Sequence, residues 1–276
     1  MKVPEESQGI DAFLLSFLEK APVLSRYAKT RGWYYVVSWL QRYTGIGLVI
    51  ILIVHLYILS SVRTPEATYA RVIIFTGPIF AFFIWVSSLI VGFHALNGGR
   101  LILYELFGKR NDAAMIRWTS ALTIAYAALF GLFMIMKNRG MPAVFFWWAA
   151  FLGGVVTAYT VASRIGKSRH SVPWKIQRIS GAFLFITVPA YLLFSYLSPG
   201  VADQARAAVV PVQNVFIRIA TFTLTILALY HAGYGLFSIA ADYVSSQTVR
   251  VGITALIFVV TVALAALAFR LLLSVS

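Results

Sequence analysis

The sequence predicts an all-α integral membrane protein: about seven transmembrane helices in a bundle, built as two parallel three-helix repeats joined by an extra connector helix. Three observations carry this reading. The 276 residues are 60% hydrophobic and 12% charged, with a mean hydropathy of +0.83, a composition outside that of water-soluble domains. Apolar runs long enough to cross a hydrocarbon core recur along the whole chain. A set of polar residues also returns at a fixed offset. Seven crossings with short connections leave no room for a large soluble domain, so any water-soluble chemistry belongs to a partner. The absence of cysteine excludes disulfides, Cys-ligated iron-sulfur clusters and structural zinc from this chain alone.

Taken in order, residues 1–32 read as a cytoplasmic amphipathic segment. Ile10, Phe13, Leu14, Phe17 and Leu18 fall at i, i+3, i+4, i+7 and i+8, the stripe of a short helix lying at the membrane surface or under a partner. Glu19-Lys20 follows without a small-residue cleavage signature, so no signal peptide is expected. Apolar segments then fall at 33–62, 71–107, 116–137, 143–163, 176–198, 211–243 and 250–274. The second and sixth exceed what a bilayer core requires, so their inner ends should project into the interface or tilt. The net charge of +14 is read as topological rather than as affinity for nucleic acid. A cytoplasmic N-terminus places about 16 Lys/Arg inside against about 7 outside, the asymmetry that fixes orientation.

The repeat has an offset of 136 to 137 residues. Ser38-Trp-Leu-Gln41-Arg42-Tyr-Thr-Gly45 returns as Trp174-Lys-Ile-Gln177-Arg178-Ile-Ser-Gly181, and His94-Ala-Leu-Asn-Gly98 as His231-Ala-Gly-Tyr-Gly235. An acid stands 11 residues after each histidine, at Glu105 and Asp242. Three helices per copy would leave the second copy inverted, and the segment at 143–163 restores a parallel arrangement. The organisation expected is therefore 33–140 as first repeat, 141–170 as connector helix and basic loop, and 171–276 as second repeat.

Ionisable residues in spans are costly unless paired or solvated, which singles out His55, His94, His231, Arg42, Arg178 and Asp242. One membrane histidine alone fits an interhelical hydrogen bond. Two at matched positions can face one another across a planar macrocycle, so bis-histidine haem ligation by His94 and His231 is the leading reading. Gly98 and Gly235, four residues on, would leave a porphyrin unobstructed or else serve close helix packing. Arg42, Arg100 and Arg178 suit haem propionates, or snorkel. Ser38 and Arg42 share a helix face, and Asp242 lies about 16 Å along its helix from His231. With Tyr243 these residues could supply hydroxyl donors, a cation and a carboxylate to a quinone carbonyl, or form a helix-end ion pair beside an interfacial tyrosine.

Ser38-x-x-x-Arg42-x-x-Gly45 with His94-x-x-x-Gly98-x-Arg100 resembles the cytochrome b large subunit of the succinate dehydrogenase and fumarate reductase membrane anchor, respiratory complex II. His231-Ala-x-x-Gly235 ending in Asp242-Tyr243-Val244 resembles the small anchor subunit, as if the two were fused through the extra helix. The resemblance covers about 200 residues. It implies that His94 and His231 ligate the iron of one haem b, and that Ser38, Arg42 and Tyr243 contact ubiquinone or menaquinone, with Asp242 adjacent. It also implies flavoprotein and iron-sulfur partner subunits, and an undivided anchor implies a prokaryotic cytoplasmic membrane. The family's usual histidine after Gly-x-Arg is Leu101 here. Family members with two haems carry a further histidine in the first helix of each half. His55 fits the first, but Tyr191 occupies the second, so one haem is expected, with His55 as a hydrogen-bonding position and ligation by Tyr191 as the alternative. Rival functions are a secondary transporter built from parallel repeats, against which no corresponding Gly/Pro-broken helix pair is found, and a haem-free structural anchor.

Overall fold

The computed structural model describes residues 31–60, 78–108, 110–136, 143–197 and 215–274. Among these, the structure consists of seven long helices: α1 (Trp33–Ser60), α2 (Pro78–Phe107), α3 (Asp112–Met136), α4 (Ala143–Ile165), α5 (Val172–Leu197), α6 (Val215–Tyr243) and α7 (Gln247–Ser274). The amphipathic stripe expected from Ile10 to Leu18 lies outside the described residues.

Helices α3, α5 and α7 begin three to four residues before their apolar runs, because polar caps rather than hydropathy set their starts. Asn111 Oδ1 accepts a hydrogen bond from the Ala114 amide, and Ser246 Oγ from that of Val249. Pro173 sits in the first turn of α5, where a missing N–H costs nothing. Gly108, at φ 69°, stops α2, and its amide returns to the Tyr104 carbonyl at 2.9 Å.

Among the described residues, six helices are long and apolar enough to cross a membrane, spanning Trp33–Tyr57, Ile79–Phe107, Asp112–Ile135, Val172–Leu193, Val215–Tyr243 and Gln247–Arg270. The remaining helix, α4, has 23 residues, or about 34 Å at 1.5 Å per residue. It lies antiparallel along α5, with Gly154 near its middle against Thr187 and Ile165 at its end beside Ala182.

Helices α1, α2, α5 and α6 form a closed ring in which each packs on the next, with α3 against α2 and α7 against α6. Arg42, early in α1, meets Asp242 at the end of α6, while Arg178, early in α5, meets Glu105 at the end of α2. The two three-helix halves therefore run parallel, and α4 is the element without a counterpart. Burial is inverted relative to a soluble protein. The most enclosed side chains include Arg100, Asn97, Thr187, Ser88 and Ser180, while Ile135, Phe258, Val259 and Tyr159 face outward. That pattern suits lipid as solvent: interhelical hydrogen bonds sit inside and apolar surface is presented to acyl chains.

Candidate functional site

The ring of four helices is lined by the residues the repeat singles out. His94 Nδ1 lies 3.2 Å from the Gln41 carbonyl oxygen, and His231 Nδ1 lies 3.3 Å from that of Gln177. A carbonyl only accepts, so both Nδ1 atoms carry the proton and the lone pair of each imidazole resides on Nε2. The side-chain amide of each glutamine turns back to donate to the carbonyl of the same histidine, at 3.2 Å in both halves. Thr44 Oγ1 and Ser180 Oγ stand 3.3 and 3.4 Å from the respective Nδ1 atoms.

The two rings face the centre of the ring of helices with centroids 6.4 Å apart and planes at 88°. Each packs against a glycine one turn beyond its glutamine. A Cβ on Gly45 would come within 3.0 Å of His94 Cε1, and one on Gly181 within 2.9 Å of His231 Cε1. No substituent fits there without moving the imidazole. Gly98 and Gly235, read as clearing space for a porphyrin or serving close helix packing, face Gln41 and Gln177, with ordinary clearances of 3.5 and 3.8 Å.

One turn toward the start of α1, Ser38, Arg42, Asp242 and Tyr243 converge. Arg42 Nη1 donates to the Ser38 carbonyl and hydroxyl at 3.3 and 3.4 Å, and Nη2 reaches Asp242 Oδ2 at 3.2 Å. Its guanidinium lies 5.3 Å from the Tyr243 ring centre. Trp39 packs between Tyr43 and Tyr243, with centroids at 5.4 and 5.2 Å. The four residues expected to share a pocket are thus brought together. Asp242 is 56% exposed, so this corner opens to the surface of the bundle.

The symmetry-related corner is different in kind. Arg178 grips Glu105 through Nε and Nη2 at 2.9 and 2.6 Å, but Trp174 stands where the first half has Ser38, and Leu106 where the second has Tyr243. Trp174, Leu106 and Ile102 pack instead against Val161 and Ile165 of α4. The unpaired helix therefore packs beside this corner, which lacks the two hydroxyls that stand beside Arg42.

Arg100 is 2% exposed, with Nη1 3.1 Å from Asp112 Oδ1 at the start of α3. Its Nε is buried without a hydrogen-bond partner. Each of the three arginines expected to meet propionates thus already holds a protein carboxylate. His55 Nε2 and the Tyr191 hydroxyl meet at 3.4 Å, with ring centroids 6.0 Å apart. That pair lies ten residues beyond Gly45 and Gly181, about 15 Å along the bundle. Pro189 of α5 has no proline partner in α1, where Ile53 occupies the matching position.

The residues that orient the histidines were not assigned roles from sequence, although Gln41, Thr44, Gly45 and their counterparts Gln177, Ser180, Gly181 stand inside the repeated motif. Their repetition was the available signal. Asn97, fully buried and donating to Gln41 Oε1 at 2.8 Å, had none, since Tyr234 replaces it in the second half.

The model of the succinate dehydrogenase/fumarate reductase transmembrane subunit family matches the chain twice, over residues 19–134 and 157–269. Neither a curated protein nor a solved structure matches significantly. The two matched stretches contain both histidines, both glutamine-arginine pairs and both acids, and cover most of the chain. The chain belongs to the family of succinate dehydrogenase/fumarate reductase transmembrane subunits.

Proposed function

We propose that this membrane subunit holds one haem b between His94 and His231 and forms, with Ser38, Arg42, Asp242 and Tyr243, the site at which electrons from a partner iron-sulfur subunit reduce a quinone. The ring separation carries the reading. With centroids 6.4 Å apart, His94 and His231 would be the residues to hold a haem iron between them, a group that would supply one-electron redox chemistry. Both rings hold the tautomer that ligation needs, fixed by backbone carbonyls. Arg100 Nε, buried and unsatisfied, is a donor suited to a propionate.

Bound there, haem supplies a one-electron carrier within the bilayer. The protein's own residues do the rest. Gly45 and Gly181 seat the imidazoles, and the glutamine carbonyls keep Nε2 unprotonated. At the Arg42 corner, Ser38 and Tyr243 offer hydroxyl donors to a quinone carbonyl, and Arg42 offsets negative charge developing on its oxygen. Asp242 relays protons from the aqueous edge. The flavoprotein and iron-sulfur subunits contribute the succinate chemistry. The positive-inside asymmetry supports placing the Arg42 end in the cytoplasm of a prokaryotic cell.

A reduced-minus-oxidised absorption spectrum of the purified protein tests this. A b-type Soret and α band, lost in His94→Ala and in His231→Ala, is the expected result. A well-folded preparation lacking haem would overturn it.

A further inference from the structure

Tyr243 is the last residue of α6 and is 49% exposed, so its own helix does little to fix where its ring lies. Two contacts from α1 do. The ring centre lies 5.2 Å from that of Trp39, with planes at 44°, and 5.3 Å from the Arg42 guanidinium carbon. A tilted aromatic pair at this separation attracts beyond the area it buries. A guanidinium this close to a ring adds cation–π attraction.

Trp39 is itself braced along α1. Tyr35 and Tyr43 stand at i−4 and i+4, positions that share a helix face, with centroids 6.3 and 5.4 Å from the indole. Arg31 donates to the Tyr35 hydroxyl at 2.9 Å at the foot of this ladder. The indole is thus fixed to the helix that also carries Ser38 and Arg42, and through it Tyr243 is held in the same frame. The arrangement belongs to one half only. Tyr35, Trp39 and Tyr43 correspond to Ser171, Lys175 and Ile179 in the repeat, and Tyr243 to Leu106. The second half keeps its helix packing and its ion pair without any of these aromatics, so the scaffold does not require them. Interfacial anchoring explains aromatic residues at a helix end. It does not explain a contact that crosses from α1 to α6 beside Ser38 and Arg42.

Given the quinone role proposed for the Arg42 corner, on which this rests, we propose that Trp39 is a positioning residue for quinone reduction: it holds the Tyr243 ring beside Arg42, so that the tyrosine hydroxyl serves the same quinone carbonyl as Ser38. Trp39 acts through Tyr243 and brings no group of its own to the reacting oxygen.

A double-mutant cycle in the assembled complex tests this, with reduction of a short-chain ubiquinone or menaquinone analogue normalised to succinate oxidation by an artificial dye. Trp39→Leu should lower kcat by about tenfold and change KM by less than about twofold, the mark of a misaligned donor rather than lost binding. Trp39→Phe, which keeps an aromatic ring against Tyr243, should stay within about threefold of the native rate. In Tyr243→Phe, where the hydroxyl is already gone, adding Trp39→Leu should cost less than about twofold more. Losses that multiply would overturn the proposal while leaving the quinone site standing, since Trp39 would then act independently of the tyrosine. Native quinone reduction in Tyr243→Phe would overturn both. A second readout needs no turnover. In the full chain labelled with ring-¹³C tyrosine, the Tyr243 signal, identified by its loss in Tyr243→Phe, should be single in the native protein and in Trp39→Phe, and broadened or split in Trp39→Leu. A signal unchanged in Trp39→Leu would mean that the indole does not hold the ring, and the proposal would fall.

Discussion

Arg42 of α1 ends 3.2 Å from Asp242 of α6, and the same reach in the other half joins Arg178 of α5 to Glu105 of α2 at 2.6 Å. The two pairs are related by the repeat but differ in company. Beside Arg42 stand the hydroxyls of Ser38 and Tyr243; beside Arg178 stand Trp174 and the packed end of α4. The duplicated scaffold thus surrounds one ion pair with hydroxyls and the other with apolar and aromatic side chains.

Removing the cation from the open corner should separate two activities. Arg42→Ala is expected to slow quinone reduction by about a hundredfold, the scale of losing one donor aimed at developing charge. Succinate oxidation by an artificial dye in the same assembled complex should be unchanged. Parallel loss of both would contradict a quinone role for the Arg42 corner.

The glycines beside the histidines give a steric test. Gly45→Ala and Gly181→Ala place a methyl 3.0 and 2.9 Å from an imidazole carbon, so each should displace the ring, shift or abolish the b-type bands and destabilise the fold by about 1–3 kcal/mol. Gly47→Ala meets nothing closer than 3.9 Å and should be neutral or stabilising by up to about 1 kcal/mol. Thermal melts followed at the Soret band distinguish the two sites.

Gln41 and Gln177 hold equivalent positions, but only Gln41 is itself held, by Asn97 at 2.8 Å. Gln177 Oε1 is buried without a hydrogen-bond partner. Asn97→Leu leaves Gln41 Oε1 in the same condition and should cost about 1–3 kcal/mol. The expected spectroscopic companion is a change in the low-temperature electron paramagnetic resonance signal of a haem held as proposed, because His94 would lose part of its support through Gln41. A variant with native stability and an unaltered signal would remove Asn97 from the ligand's support.

At the far level of the bundle, Tyr191→Phe deletes the 3.4 Å contact with His55. The loss expected is about 0.5–1 kcal/mol, the usual scale for one interhelical hydrogen bond in a membrane. Haem content per chain should stay the same. A halved haem content would instead assign Tyr191 a ligating role.

Fold and site were legible to different depths. Hydropathy located all seven helices, because a lipid solvent demands uninterrupted apolar runs, but it misplaced the starts of α3, α5 and α7. Those starts are fixed by the hydrogen bonds of Asn111 and Ser246 and the fixed φ of Pro173, to which a hydropathy window is blind. The repeat identified His94, His231, Arg42 and Asp242 as residues to watch. Arg42 and Asp242 were read as neighbours, in one pocket or as a helix-end ion pair, but the repeat could not show that Arg178 crosses likewise to Glu105, since spacing within one copy carries no record of which copy it faces. Nor could it show that α4 covers Trp174, because an element without a counterpart leaves no trace in self-comparison. The orienting glutamines were overlooked because their main task falls to backbone carbonyls, which any residue type possesses.

The crossed ion pairs make each half hostage to the other during biogenesis. A chain arrested after α3 would leave Arg42 and Glu105 at the membrane edge with no opposite charge from the missing helices, and the later half alone would strand Arg178 and Asp242. Each pair therefore bridges the two halves, and completion of the second half brings both cross-half contacts into place at one end of the bundle.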